Sequence, residues 1–170
     1  MGYMDFLKQG HSNFELLKEF GLNLETPDSH LLDMGSGYGR LLAGNSNATS
    51  TRNCHNLTQI FTTPGIIVGG IDFKGNYTGM DILKRHVFWC QSSYRKYYAR
   101  NVNFLHMDVF NSRYNTAGKI QPDVYTIPAN DRTYSFVSLF SVFTHMHEEE
   151  ILRYLSEFYR WILISNRCVR

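Results

Sequence analysis

The segment from His30 to Arg40 restricts the fold of this chain more than any other segment. It reads HLLDMGSGYGR, a short apolar run that ends in an acid and is followed by three alternating glycines and the apolar run Leu41–Ala43. The order predicts a strand, a tight turn and a helix, because glycine adopts positive φ and lets a ligand approach the backbone. A helix that begins at such a turn presents free N–H groups and the positive end of its dipole. We therefore expect an α/β fold that holds the polar end of a nucleotide-like cofactor at this turn.

The composition predicts one globular domain without a membrane segment. The chain has 170 residues, 43% of them hydrophobic, and a net charge of +2 with both signs spread along it. This balance gives no electrostatic reason to expect nucleic acid or a membrane surface as a partner, and no apolar run approaches the roughly 20 residues that span a bilayer. The three cysteines lack metal-ligand spacing and predict reduced thiols. We therefore expect no metal site. Because the N-terminus also makes a poor signal peptide, we expect a cytoplasmic protein.

Strand and helix patterns alternate along most of the chain. Strands are predicted at 30–34, 76–81, 102–108 and 134–140. Helices are predicted at 14–20, 38–43, 82–100 and from 148 onward. This alternation predicts a Rossmann-like α/β fold, in which a mostly parallel sheet lies between two layers of helices and is joined by right-handed crossovers. Ligands of such sheets bind at the carboxyl ends of the strands, so the acids that end the first three strands should converge there.

Two segments interrupt the alternation. Residues 44–75 are rich in Asn, Thr, Ser and Gly and contain one apolar patch at Ile66–Val68. A structureless loop of this length is uncommon in a compact domain, so we interpret 44–75 as an insertion in a single domain that spans residues 1–170. Residues 111–133 are polar, contain glycine and proline, and predict a loop.

The order of these motifs resembles that of the class I S-adenosylmethionine-dependent methyltransferases. Leu32–Gly39 is similar to the first motif of the family, an acid followed by GxGxG. Asp81 and Asp108 fall where the family has acids that close its second and third strands. Ser141–Met146 resembles the segment after the fourth strand in a branch of the family that acts on small molecules. The resemblance covers about residues 30–43 and 76–165.

The resemblance implies that S-adenosylmethionine is the cofactor and that the glycine turn binds its amino acid end. Four residues of this turn would contact the cofactor: Gly35, Ser36, Gly37 and Gly39. Asp33 would accept a hydrogen bond from the ammonium group, directly or through water. The turn has an alternative interpretation as the first half of a dinucleotide motif, which would indicate a nicotinamide-dependent oxidoreductase. That motif needs a glycine where Arg40 stands, so the methyltransferase interpretation is favoured.

The ends of the second and third strands would hold the rest of the cofactor. Asp81 would accept both ribose hydroxyls, because an ionised carboxylate is an acceptor with two oxygens. Ile82 and Val109 would enclose the adenine, and Asp108 would accept from the adenine amino group. Two alternatives stay open: Asp81 can cap the helix that follows it, and Asp108 can be a solvated loop acid.

Methyl transfer is a direct displacement at a carbon that the sulfonium already activates, so the protein mainly positions and desolvates the reactants. An oxygen or nitrogen acceptor can require a general base. His145 is the first candidate for this catalytic role and His147 the second, and a packed or capping loop histidine is the alternative for His145. The acceptor is predicted to be an unidentified small or sugar-like molecule and not a nucleic acid, because basic and aromatic residues do not alternate in one stretch.

Two features depart from the family pattern. The insertion at 44–75 interrupts the first helix early, and the chain ends near the link into a fifth strand, whereas the family has seven strands. We therefore expect a sheet that is incomplete at the C-terminus, with an exposed edge at which the protein can self-associate. The alternative function is a non-catalytic, methyltransferase-like domain for binding or assembly.

Overall fold

The computed structural model describes residues 3–23, 26–44, 75–94 and 101–162. The strands in these ranges are β1 (His30–Met34), β2 (Asn76–Asp81), β3 (Val102–His106) and β4 (Phe136–Leu139). The helices are α1 (Tyr3–Glu19), α2 (Arg40–Gly44), α3 (Lys84–Tyr94), α4 (Glu148–Trp161) and a short 3₁₀ helix at Phe143–His145. Most of the predicted insertion, residues 45–74, and the predicted helix end at 95–100 lie outside the described residues.

The four strands form one parallel sheet in the order β3-β2-β1-β4. β1 lies inside the sheet, and its last residue, Met34, pairs with Met80 of β2 and with Leu139 of β4. Because all four strands run in the same direction, their carboxyl ends meet at one edge. The predicted parallel α/β sheet is confirmed.

Successive residues of β1 enter two different hydrophobic cores, because side chains alternate between the two faces of a strand. Leu31 packs in a core with residues of α1, α2 and α3, such as Phe14, Leu42 and Val87. Leu32 packs on the opposite face with residues of α4, such as Phe158. Burial on both faces is typical of parallel sheets, and it gives the fold three layers.

Three helices begin at residues other than those predicted. α1 begins at Tyr3, well before the predicted start at 14, and its early residues Phe6 and Leu7 also pack against the first core. α2 begins at Arg40 because Gly39 has a φ of +72°, which a right-handed helix cannot include. α3 begins at Lys84, two residues later than predicted.

The ends of the sheet also differ slightly from the sequence prediction. β4 covers only Phe136–Leu139, and Tyr134 instead forms an isolated parallel bridge with Ile162. Residues 111–133 contain isolated bridges but no helix or strand, so the predicted loop is confirmed. Among the described helices, none is long and apolar enough to cross a membrane.

Candidate functional site

The glycine turn follows β1 at the carboxyl edge of the sheet. Gly35, Gly37 and Gly39 have φ values of +74°, +55° and +72°. A Cβ atom at Gly39 would lie 2.8 Å from Cε2 of Tyr94, whereas a Cβ atom at Gly37 would meet no atom within 4 Å. Close packing of the fold therefore excludes a side chain at Gly39. At Gly37 the space outside the turn is open, as a site for a ligand requires.

The carboxylate of Asp81 is tied to the glycine turn. Its Oδ2 accepts a hydrogen bond of 2.8 Å from the Gly37 N–H, and its Oδ1 accepts one of 2.7 Å from the Leu83 N–H. The second bond spans only two residues ahead of α3, and the Leu83 carbonyl accepts the first bonds of that helix, so Leu83 and not Asp81 stands at its N-cap. The first bond brings the ends of β1 and β2 together, as predicted for residues at one edge of a parallel sheet.

A cleft of about 370 Å³ opens beside the turn and the ends of the strands. Five of the predicted site residues line it: Gly35, Asp81, Ile82, Val109 and His145. Apolar side chains such as Met107 and Val142 form much of its wall. Binding sites of small molecules are typically apolar clefts with a few polar groups at fixed positions.

The other predicted site residues do not line this cleft. Asp33 is fully buried, where its Oδ2 accepts a 2.7 Å hydrogen bond from the Tyr77 hydroxyl and its Oδ1 a 3.2 Å bond from Ser138. Burial raises the pKa of Asp33 from 3.8 to about 6, although both hydrogen bonds act in the opposite direction. Asp108 is partly exposed, and its main-chain carbonyl accepts hydrogen bonds from Lys119 and Ile120. Ser36, Gly37 and Gly39 belong to the same turn as Gly35, which does line the cleft.

His145 also lines the cleft, and it lies in the 3₁₀ helix that follows β4. Its Nε2 is 3.3 Å from the Tyr114 hydroxyl, and the two rings meet edge to face. The side-chain amide of Asn111 donates a 3.2 Å hydrogen bond to the main-chain carbonyl of His145. Two contacts from the loop at 111–133 thus position this histidine. His147 instead caps α4, where its N–H donates to Glu150.

Comparison with solved structures identifies the fold. The chain is similar to an S-adenosylmethionine-dependent methyltransferase from Aquifex aeolicus, with 21% identity and a TM-score of 0.50 over 87% of this chain and 56% of that one. A methyltransferase of the same kind from Corynebacterium glutamicum has 11% identity and a TM-score of 0.50 over 90% of this chain and 56% of that one. Coclaurine N-methyltransferase, solved with N-methylheliamine and S-adenosylhomocysteine, has 14% identity and a TM-score of 0.52 over 91% of this chain and 33% of that one.

The chain has the class I methyltransferase fold. It spans about half the length of the two bacterial structures. No protein-family model matches the chain. At these identities the likeness concerns the fold alone, and the site has to be argued from its own residues.

Several cleft residues of this methyltransferase fold were not predicted from the sequence. Arg40, His86, Tyr114 and Glu150 add charged or polar groups to the wall. Arg40 and His86 stand close to predicted residues in the sequence, so they could have been proposed as neighbours of the site. Tyr114 gives no such signal, because it lies in a polar loop without a periodic pattern.

Unpaired polar atoms are concentrated around the cleft. Five buried side-chain atoms in the described ranges have no hydrogen-bond partner, and three of them are Ser36 Oγ, Arg40 Nε and His86 Nδ1. These three belong to the glycine turn, the start of α2 and the start of α3. Buried polar groups are normally hydrogen-bonded, so this concentration fits a place that receives a polar ligand. No cluster of three or more metal-binding side chains occurs among the described residues.

Proposed function

We propose that this chain binds S-adenosylmethionine in the cleft and transfers its methyl group to a small-molecule acceptor. The observation that carries the proposal is the hydrogen bond between the Gly37 N–H and the Asp81 carboxylate, at the mouth of an open turn. This bond joins the two motifs that the methyltransferase resemblance singles out. A solved structure of the same fold contains S-adenosylhomocysteine, the product form of this cofactor.

The polar residues of the cleft match the chemistry of this cofactor. An ionised Asp81 has acceptor positions left beyond its two main-chain donors, and ribose hydroxyls would fill them. Arg40 supplies a positive charge near the glycine turn for the carboxylate of the amino acid end. Ile82 and Val109 offer apolar surface to the adenine. Asp33 and Asp108 do not line the cleft. Their proposed contacts with the ammonium and adenine amino groups are therefore the least direct.

The cofactor, when bound, supplies an activated methyl group. The residues of the chain would hold both reactants and exclude water, which lowers the entropic cost of bringing them together. His145 would take a proton from an oxygen or nitrogen acceptor, because it lines the same cleft as Asp81. The Tyr114 hydroxyl would orient the imidazole ring of His145 through its contact with Nε2.

Calorimetric titration with S-adenosylhomocysteine tests the binding step. The unchanged protein should bind it in the low-micromolar range or more weakly, and Gly37→Arg should abolish the heat because it fills the open space over the turn. Gly21→Arg is the matched control. Gly21 also has positive φ, at +96°, and open space around a Cβ, but its N–H donates to Lys18 of α1, whereas the Gly37 N–H donates to Asp81 of the cleft.

The outcomes separate binding from turnover. Loss of binding in Gly37→Arg with binding kept in Gly21→Arg would support the site. Equal binding by all three proteins would refute the assignment of the cofactor to the glycine turn. No binding by the unchanged protein would refute the proposal. A labelled-methyl assay with amine, phenol, thiol and sugar acceptors then tests transfer, and binding without transfer to any of them would favour the non-catalytic alternative.

A further inference from the structure

His86 faces the carboxylate of Asp81 without completing a hydrogen bond. Its Nδ1 lies 3.5 Å from Asp81 Oδ1, and the two side chains are 15% and 10% exposed. The same Nδ1 is buried and has no hydrogen-bond partner. A hydrogen bond of this kind usually measures about 2.7–3.2 Å. A movement of a few tenths of an ångström would therefore complete the contact.

The ring of His86 also touches the glycine turn. Its centroid is 4.1 Å from that of Tyr38, which stands between Gly37 and Gly39. Tyr38 in turn meets the Trp89 ring edge to face, with 5.5 Å between the centroids. His86 therefore contacts both parts of the site, the acid at the end of β2 and the turn after β1.

The donors around Asp81 leave its orientation only partly fixed. Two main-chain N–H groups bind one oxygen each, from Gly37 and Leu83. A carboxylate offers about four acceptor positions. A third donor beside Oδ1 would restrict the carboxylate further and leave a defined position for a ligand hydroxyl. Because an ionised carboxylate only accepts, this third donor has to be Nδ1 with its proton.

We propose that His86 is a positioning residue for Asp81. With the proton on Nδ1, it holds the carboxylate in the orientation that receives a ribose hydroxyl at the acceptor position that remains. This inference rests on the proposed function, and it assigns to α3 a role in cofactor affinity that the predicted site residues do not include.

Two substitutions distinguish the contribution of the Nδ1 donor of His86 from that of its aromatic ring. His86→Phe keeps an aromatic ring against Tyr38 but removes the donor, and it should weaken S-adenosylhomocysteine binding about tenfold, as for a lost hydrogen bond to a charged group. His86→Asn places an N–H near the position of Nδ1 and should restore most of the affinity. Trp89→Phe is the control, because it alters the other neighbour of Tyr38 and leaves Asp81 untouched. Its affinity should equal that of the unchanged protein.

Calorimetry of these four proteins decides between the outcomes. Equal affinity in the unchanged protein and His86→Phe overturns the inference and leaves the proposed function standing. A loss in His86→Phe that His86→Asn does not restore also overturns it, since the ring and not the donor would then matter. If the unchanged protein binds no S-adenosylhomocysteine, the proposed function fails and the inference fails with it.

The tautomer of His86 gives a second test that needs no ligand. Long-range proton–nitrogen correlation spectra of the neutral imidazole should show the proton on Nδ1. A proton on Nε2 with none on Nδ1 would overturn the inference, because Nδ1 would then present a lone pair to the carboxylate.

Discussion

The buried carboxyl of Asp33 should make the stability of the fold fall as pH rises. Its pKa is raised from 3.8 to about 6, mainly by burial. The folded protein therefore holds this proton more tightly than the unfolded chain, and ionisation between about pH 4 and pH 6 favours unfolding. Each pKa unit corresponds to about 1.4 kcal/mol, so the free energy of unfolding should lose about 3 kcal/mol across this window.

Asp33→Asn removes the titrating carboxyl group and keeps the shape of the side chain. The amide oxygen can accept from the Tyr77 hydroxyl, and the amide nitrogen can donate to Ser138 Oγ, so both present partners stay paired. Relative to the unchanged protein, the variant should gain about 3 kcal/mol in free energy of unfolding between pH 4 and pH 7. Urea unfolding at several pH values measures this difference, and other titrating groups cancel in it.

Tyr77→Phe should make the free energy of unfolding fall more steeply with pH than in the unchanged protein. The Tyr77 hydroxyl lowers the pKa of Asp33, so its removal should raise that pKa further and deepen the loss of stability with pH. A difference between Asp33→Asn and the unchanged protein that does not vary with pH would refute the reasoning. A difference of the opposite sign would show that the carboxylate is better stabilised in the folded state than in water.

Three further predictions concern the turn, the acid and the base. Gly39→Ala should lower the free energy of unfolding by at least about 1–2 kcal/mol through its positive φ alone, with a further loss from the clash with Tyr94; an unchanged urea midpoint would contradict this. Asp81→Asn should weaken S-adenosylhomocysteine binding at least about tenfold, and calorimetry that finds equal affinity would remove Asp81 from the site. Tyr114→Phe should slow methyl transfer and leave S-adenosylhomocysteine affinity unchanged, because its hydroxyl lies 3.3 Å from Nε2 of His145; slower transfer caused by weaker binding would count against this role.

The parts of the fold with a local cause were predictable from the sequence. β1 and β2 have the predicted bounds, since each is a short segment with an acid at or next to its last residue, directly before a turn or a helix start. The parallel order follows from the alternation of strands and helices. The contact between Asp81 and the glycine turn follows from the same rule, because both stand at carboxyl ends of neighbouring strands.

Contacts made by tertiary packing were not predictable. The side chain of Asp33 points into the core that contains Leu31 and Tyr77, and sequence spacing alone does not show that Tyr77 and Ser138 would satisfy it there. Tyr114 reaches His145 from a loop whose path no periodicity describes. The early start of α1 was missed for a different reason: Phe6, Gly10 and Phe14 lie on one buried face at helical spacing, but the glycine interrupts the apolar signal.

The pairing of β1 with β4 has a consequence for the order of folding. Leu32 pairs with Val137, and Ser135 Oγ accepts from the His30 N–H across 105 residues of chain. Closing so long a loop carries an entropic cost before any contact offsets it, and pairings of this range slow folding. Gly35 also packs against Val142, so the cleft wall needs the chain beyond β4. During synthesis the ribosome must therefore release most of the chain before the cleft can form, and ligand binding should report on the last step of folding.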